Sequence, residues 1–410
     1  MPTQTTLDQE TRDIVKSTVP VLQKHGAEIT ARFYELMFAN HPELKNIFNQ
    51  TNQRKGDQAH ALANTVYAAA AHIDHLEEIL PHVKPIAHKH RSLNIKPEHY
   101  PIVGKHLLLA MKELLDEKAT PQFIEAWEKA YQEIAQVFIS VEQDMYEEVE
   151  NNTGGWVDYR PFKVVKKEVE SDVITSFYLQ PADGKPFPTY QPGQYITIKA
   201  DIEGEPYTHL RQYTLSCAPG NPYYRISVKR EDACDDNPAG IVSTYLHEHV
   251  NEGDTLPISA PAGDFVLNQN DEKPLVLLSG GVGITPMMSM LDTVIKEQPN
   301  REVLFIHATK SGSHHAMKEH VTQIESAHPQ VTSYTVYSEP LKEDDSDYDR
   351  DGHIDYEWLT SVLPTNQAEF YFCGPEGFMR SMYQILKKFH VAEENIHFEF
   401  FGPAQVIAAS

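Results

Sequence analysis

The sequence predicts a multidomain chain: an all-α domain, then an antiparallel β-barrel, then an α/β domain with a parallel sheet. Three observations lead to this prediction. The 410 residues exceed what one ordinary core needs, which favours two or three domains. Up to Glu150 the chain has three glycines and helical apolar spacing, and a polar glycine-containing run follows. After Pro274, compact apolar runs are separated by helix-length segments, as in parallel α/β sheets.

Composition narrows the class of function. Hydrophobic residues make up 40% and charged residues 23%, as in folded globular proteins. The net charge of -24 repels phosphate backbones and anionic lipids, so neither nucleic-acid binding nor stable membrane insertion is expected. The three cysteines lack CxxC spacing, and the polar N-terminus lacks the apolar stretch of a signal peptide. We therefore expect a reducing, cytoplasmic location.

The first 150 residues are predicted to be helical throughout. Apolar side chains recur at helical spacing in two stretches, and an X–Pro step marks each of three expected helix boundaries. The first stretch is Ile29, Phe33, Leu36 and Met37, and the second is Phe123, Trp127, Ala130 and Ile134. The boundaries are His41-Pro42, Lys96-Pro97 and Thr120-Pro121. Residues 151–156 are predicted to be a linker.

Residues 157–267 are predicted to form the antiparallel barrel, and residues 268–410 the parallel α/β domain. In residues 157–267, short β-branched and aromatic runs alternate with turns, at a spacing typical of an antiparallel barrel or sandwich. These runs are Phe162–Val165, Tyr195–Ile198, Arg225–Val228 and Thr255–Ile258. The apolar runs of the last domain are Leu275–Leu278, Val303–Ile306, Thr332–Tyr337 and Phe370–Phe372.

Two strand–turn–helix segments in the last domain predict a dinucleotide site. Leu275–Leu278 runs into a glycine-rich turn, and we expect a helix to start at Pro286. Glycines let the backbone approach a pyrophosphate, and a helix N-terminus offers it N–H groups. A second segment of this kind ends in Cys373-Gly374-Pro375. The predicted NAD(P) residues are Gly281, Val282, Gly283, Ile284, Thr285, Pro286, Cys373, Gly374 and Pro375. Buried packing is the favoured role for the Cys373 side chain.

A strand in the barrel domain carries the groups that a flavin needs. Arg211 and Tyr213 are two residues apart and therefore share a face, and Thr214 adds a hydroxyl. A cation suits the pyrophosphate, a ring covers the isoalloxazine, and a hydroxyl reaches a ring nitrogen. Gly240-Ile241-Val242-Ser243-Thr244 opens a short helix and offers a second phosphate site.

Three segments follow one another along this part of the chain: Arg211-Gln212-Tyr213-Thr214, the 281–286 turn and Cys373-Gly374-Pro375. In order and spacing they resemble the signatures of the ferredoxin–NADP⁺ reductase-like family. The resemblance covers about residues 157–410. It implies FAD as the flavin and adds further residues bordering it. The FAD residues are Tyr195, Arg211, Gln212, Tyr213, Thr214, Ser243, Phe400, Phe401, Gly402 and Pro403.

Four histidines crowd one region of the helical domain, at positions 82, 88, 90 and 99, and the surrounding sequence selects His90. The residues that provide this context, in order, are Tyr34, Phe48, Gln58, Leu62, Lys89, His90, Tyr100 and Glu142. In this order they resemble the pattern of a bacterial globin, and with the reductase attached the whole chain resembles the flavohaemoglobins. Core packing at helical spacing is the competing interpretation of Tyr34 and Phe48.

The resemblance implies a role for each of these residues around haem b. His90 is expected to bind the iron, with Tyr100 and Glu142 as a supporting relay. Tyr34 and Gln58 are expected on the opposite side of the iron, and Phe48 and Leu62 against the porphyrin. Lys89 and Glu399 are expected to tune the flavin and haem potentials, and a direct ion pair between them is a hypothesis.

By the same resemblance, NADH or NADPH reduces FAD, FAD reduces haem, and O2 and NO are converted to nitrate. This is nitric oxide dioxygenation, a route of NO detoxification, with no obligate protein partner. Residue chemistry alone supports only an NAD(P)H-driven haem reductase. Three alternatives stay open: an alkyl hydroperoxide or ferric reductase using the same electron path, an oxygen or NO sensor or oxygen store, and a flavin reductase without haem.

Overall fold

The computed structural model describes residues 6–48, 57–234, 238–344 and 347–402. The chain divides into two compact units. The described residues up to Tyr159, together with 199–211, belong to the first unit. Residues 160–198 and the described part of 212–401 belong to the second.

The described part of the helical segment contains α-helices joined by short turns and 3-10 helices, as predicted. The helices are α1 (Gln9–Ser17), α2 (Val19–Asn40), α3 (Asp57–Ala71), α4 (Leu80–Ser92), α5 (His99–Leu115) and α6 (Pro121–Asn151). The 3-10 helices are Pro42–Asn46, Leu76–Ile79 and Asp116–Lys118. Both predicted apolar stretches face the core, where Phe33 and Trp127 are each 1% exposed.

The helix boundaries follow from local chemistry. Helix α2 ends at Asn40, just before the His41-Pro42 step, and Lys96-Pro97 lies between α4 and α5. The Thr120 side chain accepts a hydrogen bond from the Phe123 N–H and caps α6, whose first residue is Pro121. Helix α6 continues through Asn151, so the first residue of the predicted linker is helical.

The barrel segment is a six-stranded sheet that closes on itself. Its strands are β1 (Arg160–Val169), β2 (Ile174–Pro181), β3 (Tyr195–Ala200), β4 (His209–Thr214), β5 (Tyr224–Lys229) and β6 (Thr255–Ile258). The order is β4-β3-β6-β1-β2-β5, and the pairs β1–β2, β1–β6, β2–β5 and β3–β6 are antiparallel. Leu215, directly after β4, bridges to Ile226 of β5, so the two outer strands meet. Helix α7 (Ile241–His249) lies between β5 and β6 in sequence.

The last segment is a parallel sheet of order β10-β9-β8-β7-β11-β12. Its strands are β7 (Leu275–Gly280), β8 (Val303–Thr309), β9 (Val331–Tyr337), β10 (Arg350–Asp351), β11 (Glu369–Cys373) and β12 (Ile396–Phe398). Its helices are α8 (Ile284–Glu297), α9 (Lys318–Ala327), α10 (Tyr356–Val362) and α11 (Glu376–Lys388).

Both faces of this sheet are buried, which explains the continuous apolar runs in the sequence. Leu275 and Leu277 pack with residues of α8 and α9, whereas Val276 and Leu278 pack with residues of α10 and α11. The predicted helix start at Pro286 is wrong by two residues, because α8 begins at Ile284. Pro286 is tolerated there because N–H groups in the first turn have no partner within the helix.

Among the described residues, no helix is both long enough and apolar enough to cross a membrane.

Candidate functional site

Three helices of the first unit bring His90, Tyr100 and Glu142 together. Glu142 lies on α6 and is 3% exposed, His90 is in the last turn of α4, and Tyr100 is in the first turn of α5. The His90 Nδ1 atom lies 2.7 Å from Glu142 Oε1, and the Tyr100 hydroxyl donates to the same oxygen at 2.6 Å. The Tyr100 hydroxyl is also 3.3 Å from His90 Nδ1.

The hydrogen bonds explain how a carboxylate can be buried here. Removing a charged group from water is costly unless donors replace the solvent, and Tyr100 and His90 provide two donors to one oxygen. Burial, and then the Glu142 charge, raises the pKa of Tyr100. The phenol therefore keeps its proton and remains a donor. With Nδ1 engaged by Glu142, the ring is held with Nε2 as its remaining coordinating atom.

This donor set fits a haem iron. Within the described part of the chain, no hydrogen bond is made by Nε2 of His90. The His90 side chain is 31% exposed, whereas that of Glu142 is 4% exposed, so the imidazole is reachable from the side away from the carboxylate. A neutral imidazole supported by a carboxylate is a known iron-ligand arrangement.

Two other histidines of the cluster lie in different settings. The Nδ1 atom of His99 accepts a hydrogen bond from the Lys96 N–H at 3.0 Å, so this residue stabilises the turn before α5. Burial lowers the pKa of His99. His82 is exposed on α4. Neither ring is hydrogen-bonded to a buried carboxylate in the described structure, which distinguishes both from His90.

Tyr34 and Phe48 also come together, in an aromatic cluster that includes Phe38. The Tyr34 and Phe48 ring centroids are 5.7 Å apart in an edge-on arrangement, and Phe38 lies 5.8 Å from Tyr34 and 5.4 Å from Phe48. Tyr34 is 9% exposed. A phenol in such an apolar setting is a strong donor to any polar ligand nearby, because little water competes for it.

Gln58 and Leu62 lie on α3, which packs against the turns of α2 next to Tyr34. The Thr30 hydroxyl, one turn before Tyr34, donates to the Ala59 carbonyl at 2.7 Å. A Cβ on Gly26 would lie 3.3 Å from the Ala63 Cβ, so small residues allow the two helices to approach closely. The first turns of α3 are therefore held beside the helix that carries Tyr34.

Lys89 precedes His90 on α4, and Glu399 follows β12. These two residues belong to different units, and the ion pair between them stays a prediction.

Strand β4 and its neighbours carry the predicted flavin residues of the barrel segment. Arg211 and Tyr213 alternate on β4 as expected and are partly buried, and Thr214 is 5% exposed. The Tyr195 ring lies against Gly263, where a Cβ would come within 3.0 Å of Cε1 and the backbone has φ +112°. Glycine at position 263 thus makes room for this ring.

Helix α7 begins at Ile241, which confirms the predicted short helix. The Ser243 hydroxyl accepts a bond from the Glu231 N–H at 3.2 Å and donates to the Gly240 carbonyl at 3.1 Å. It therefore holds the loop that leads into α7, and its contact with the flavin phosphate stays a prediction.

The predicted C-terminal flavin residues follow β12. Phe400 packs edge-on against Phe398 at 5.9 Å, Phe401 is 49% exposed, and Gly402 is exposed. Pro403 lies outside the described residues.

The two glycine turns of the nicotinamide site lie side by side at the carboxyl edge of the parallel sheet. Strands β7 and β11 are direct neighbours, with Ser279 opposite Cys373. A Cβ on Gly283 would lie 2.1 Å from the Cys373 carbonyl oxygen, so only glycine lets the first turn pass the end of β11. A Cβ on Gly374 would lie 2.7 Å from the Phe378 ring.

The geometry of the first turn fits a pyrophosphate. Gly281 has φ +53°, and no atom lies within 4 Å of the place where its Cβ would stand. No side chain caps α8, although the N–H of Ile284, its first residue, donates to the carbonyl oxygens of Gly281 and Val282 in the preceding 3-10 turn. The carboxyl edge of an open parallel sheet, at the point where the strand order reverses, is where nucleotides bind. Here that point is the gap between β7 and β11.

Cys373 contributes through its backbone. Its side chain is fully buried, and burial raises the pKa of the thiol well above the ordinary range. A thiol of this kind packs and does not react at neutral pH, in agreement with the expected role.

Several residues of these sites are absent from the sequence prediction. Tyr131 and Tyr146 on α6 donate to main-chain carbonyls of Tyr100 and Ile95, and the Phe138 ring lies 6.2 Å from that of His90. The sequence did contain a signal for them, because Tyr131, Phe138 and Tyr146 are spaced from Glu142 so that all lie on one face of α6.

Three family models match successive parts of the chain: Globin over residues 31–138, Oxidoreductase FAD-binding domain over 161–267, and Oxidoreductase NAD-binding domain over 277–384. The flavohemoprotein of Oceanobacillus iheyensis is 60% identical over 402 residues, covering 98% of both chains. That of Bacillus subtilis is 53% identical over 406 residues, covering 98% of this chain and all of the other.

Solved structures show the same likeness. The flavohemoglobin of Malassezia yamatoensis, with bound FAD and heme, aligns with 97% of this chain and all of its own at a TM-score of 0.83 and 27% identity. The FAD/NAD-binding domain of a nitric oxide dioxygenase from Vibrio cholerae is 40% identical, with a TM-score of 0.55, and covers 60% of this chain and all of its own. The chain therefore belongs to the flavohemoproteins, oxidoreductases that join a haem-binding globin domain to FAD-binding and NAD-binding domains in one polypeptide.

Proposed function

We propose that this flavohemoprotein is an NAD(P)H-driven nitric oxide dioxygenase that detoxifies NO. In the overall reaction, two NO and two O2 become two nitrate ions while one NAD(P)H is oxidised to NAD(P)⁺ and a proton is released. The observation that carries the proposal is the buried Glu142 bonded to His90 and Tyr100. A globin that only stores oxygen has no need of a negative charge behind its iron ligand.

We assign the iron to Nε2 of His90. Haem, when bound, supplies the centre that takes up O2 and accepts single electrons. Glu142 draws the Nδ1 proton of His90 towards itself and makes the imidazole a stronger electron donor. Electron donation of this kind favours oxygen activation over reversible storage. Tyr100 holds the carboxylate in place and, because its pKa is raised, does so without giving up its proton.

Tyr34 is the proposed hydrogen-bond donor to the oxygen substrate, with Gln58 near it. The aromatic cluster of Tyr34, Phe38 and Phe48 keeps water away, so a hydrogen bond from this phenol gains strength. Leu62 completes the proposed apolar wall. NO is small and almost apolar, and a dry pocket admits it readily.

Electrons are proposed to arrive from NAD(P)H held at residues 281–286 and 373–375. FAD, when bound, accepts the hydride and releases electrons one at a time. The proposed FAD contacts are Arg211 for the pyrophosphate, Tyr195 and Tyr213 for the ring, and Thr214 for a ring nitrogen. The proposed domain limits are residues 1–150 for haem, 157–267 for FAD and 268–410 for NAD(P), with a linker at 151–156.

The test uses the purified holoprotein without oxygen. NADH is added first, followed by O2 and then NO, while flavin and haem absorbance and nitrate are recorded. Flavin bleaching, haem reduction and nitrate formation at one nitrate per NO are the expected results. Cumene hydroperoxide replaces NO in a parallel series. Faster turnover with the hydroperoxide than with NO would favour the peroxide reductase and count against the proposal.

Tyr34→Phe tests the distal assignment, with Tyr67→Phe as the matched control on α3. Loss of a hydrogen bond to a charged group is worth roughly 10- to 100-fold, and NO turnover should slow by about that factor. The control should retain turnover, because no hydrogen bond joins the Tyr67 hydroxyl to the described residues. Unchanged turnover in Tyr34→Phe would remove Tyr34 from the proposed site.

A further inference from the structure

Gly104 occupies the interior of α5, where a glycine needs an explanation. Glycine in a helix interior costs about 1 kcal/mol relative to alanine. A Cβ at position 104 would lie 2.4 Å from Cε1 and 2.6 Å from Cδ1 of Tyr131. The Tyr131 ring thus lies directly against the α5 backbone at a point where any side chain would displace it.

The hydroxyl of Tyr131 reaches the first turn of the same helix. It donates to the Tyr100 carbonyl oxygen at 2.7 Å. Tyr100 lies one turn before Gly104, so the contact with Gly104 and the hydrogen bond act on the same stretch of backbone. Burial raises the pKa of Tyr131, which keeps this donor protonated.

Helix α6 therefore holds Tyr100 at two points. Tyr131 and Glu142 lie eleven residues apart, about three turns, and so share a face of α6. Tyr131 holds the main chain of Tyr100, and Glu142 accepts from its side chain. The Phe138 ring lies between them in sequence and 6.4 Å from the Tyr100 ring.

The position of Tyr100 matters because two donors compete for one oxygen. Glu142 Oε1 receives the Tyr100 hydroxyl at 2.6 Å and faces His90 Nδ1 at 2.7 Å. A stronger bond from the phenol draws negative charge away from the bond to the imidazole. A weaker one leaves more of that charge for His90.

We infer that Tyr131 is a positioning residue: placed against Gly104, it fixes the Tyr100 phenol and thereby sets how much of the Glu142 charge reaches His90. The inference rests on the proposed role of His90 as the iron ligand. It assigns Tyr131 no contact with the substrate or the cofactors.

The test is Tyr131→Phe in the full-length holoprotein, which keeps the ring on Gly104 and removes only the hydroxyl. Two readouts follow the charge on His90: the Fe–His stretching band in the resonance Raman spectrum of the reduced protein, and the haem reduction equilibrium against a reference dye. A looser Tyr100 leaves more charge for His90. The band should move to higher wavenumber, and the ratio of ferric to ferrous haem should rise about threefold. A complete hydrogen bond changes an equilibrium constant roughly fivefold, and Tyr131→Phe weakens the Tyr100 bond without removing it.

A double-mutant comparison separates positioning from general stability. Tyr100→Phe should shift both readouts in the same direction as Tyr131→Phe and by more. In the Tyr100→Phe background, Tyr131→Phe should add no further shift, and Tyr67→Phe should shift nothing. Equal shifts from Tyr131→Phe in both backgrounds, or none in either, would overturn the inference.

If Tyr131→Phe fails to retain haem, Gly104→Ala provides a second test. The added Cβ displaces the Tyr131 ring, while the Tyr131 hydroxyl is kept. Gly104→Ala should shift the Raman band in the same direction, and no shift would count against the inference. Both readouts are independent of NO. A protein without NO dioxygenase activity would overturn the proposed function while leaving these spectra to decide the role of Tyr131.

Discussion

Gly283→Ala should disable the nicotinamide site while leaving the flavin and haem in place. The added Cβ would lie 2.1 Å from the Cys373 carbonyl oxygen, 2.4 Å from its carbonyl carbon and 2.7 Å from the Gly374 nitrogen. All three atoms belong to the backbone, so no side-chain rotation can relieve the clash. Restoring an ordinary contact of 3.4 Å requires a shift of about 1.3 Å between the turn and the end of β11.

The expected magnitude follows from that shift. Overpacking of this kind costs about 1–3 kcal/mol of stability, which a domain with two buried sheet faces can tolerate. A misplacement of about 1 Å in a binding site costs roughly 100-fold in rate. We therefore expect NADH to reduce the flavin roughly 100-fold more slowly.

Anaerobic stopped-flow measurement of flavin bleaching with NADH is the assay, and flavin and haem content are checked by absorbance. Gly377→Ala is the matched control, because a Cβ there meets no atom within 4 Å. The control should bleach at the wild-type rate. Wild-type bleaching in Gly283→Ala would refute the close approach of the two turns as the reason for this glycine.

Three further predictions concern charge. Glu142→Gln removes the negative charge behind His90, so NO turnover should fall about 10- to 100-fold with a lower Fe–His frequency; unchanged values would separate Glu142 from catalysis. Hydrogen bonding to Asp292 raises the pKa of His320. The bond between the two side chains therefore stabilises the fold fully below the ordinary histidine pKa of about 6.5, and this stabilisation is lost as the pH rises through the raised pKa of His320. Since the His320 side chain is 44% exposed, solvent screens the interaction, and it contributes about 0.5 kcal/mol to the free energy of unfolding. The difference in melting temperature between wild type and His320→Gln should therefore become smaller from pH 5.5 to pH 8.5, and a constant difference would contradict this. Lys89→Glu should slow flavin-to-haem electron transfer about tenfold at low salt and less at high salt, as seen by stopped-flow, and an unaltered rate would remove Lys89 from potential tuning.

Much of the fold could be predicted because its signals are local. Strand β7 has both faces buried and therefore reads as an uninterrupted apolar run, and glycines 281 and 283 follow it directly. Strand β1 shows the limit. Its ten residues include exposed lysines that pair in the ladder, whereas the predicted run covered only Phe162–Val165. Strand pairing is made by the main chain, so charged side chains can occupy a strand. The sequence pattern, which relies on apolar side chains, therefore underestimates the length of β1.

The members of the relay around His90 could be predicted from the sequence, but the residue that holds Tyr100 in place could not. Tyr100 and Glu142 came from the family resemblance, and the structure brings both to His90. The bond from Tyr131 to the Tyr100 carbonyl joins residues 31 positions apart. It depends on how closely two helices pack, which one sequence does not reveal. The two-residue error at Pro286 has a related cause, because glycine-rich turns can pass into a helix without a side-chain cap.

The strand order of the parallel sheet has a consequence for biosynthesis. Strands β7, β8 and β9 follow one another in sequence and can pair as they leave the ribosome, but the other edge of β7 is covered only by β11. About ninety residues separate the end of β7 from the start of β11. At translation rates of about 5–20 residues per second, this apolar edge stays unpaired for roughly 5–20 seconds. During that interval the nascent chain is open to wrong strand pairing, and chaperone binding would protect it there.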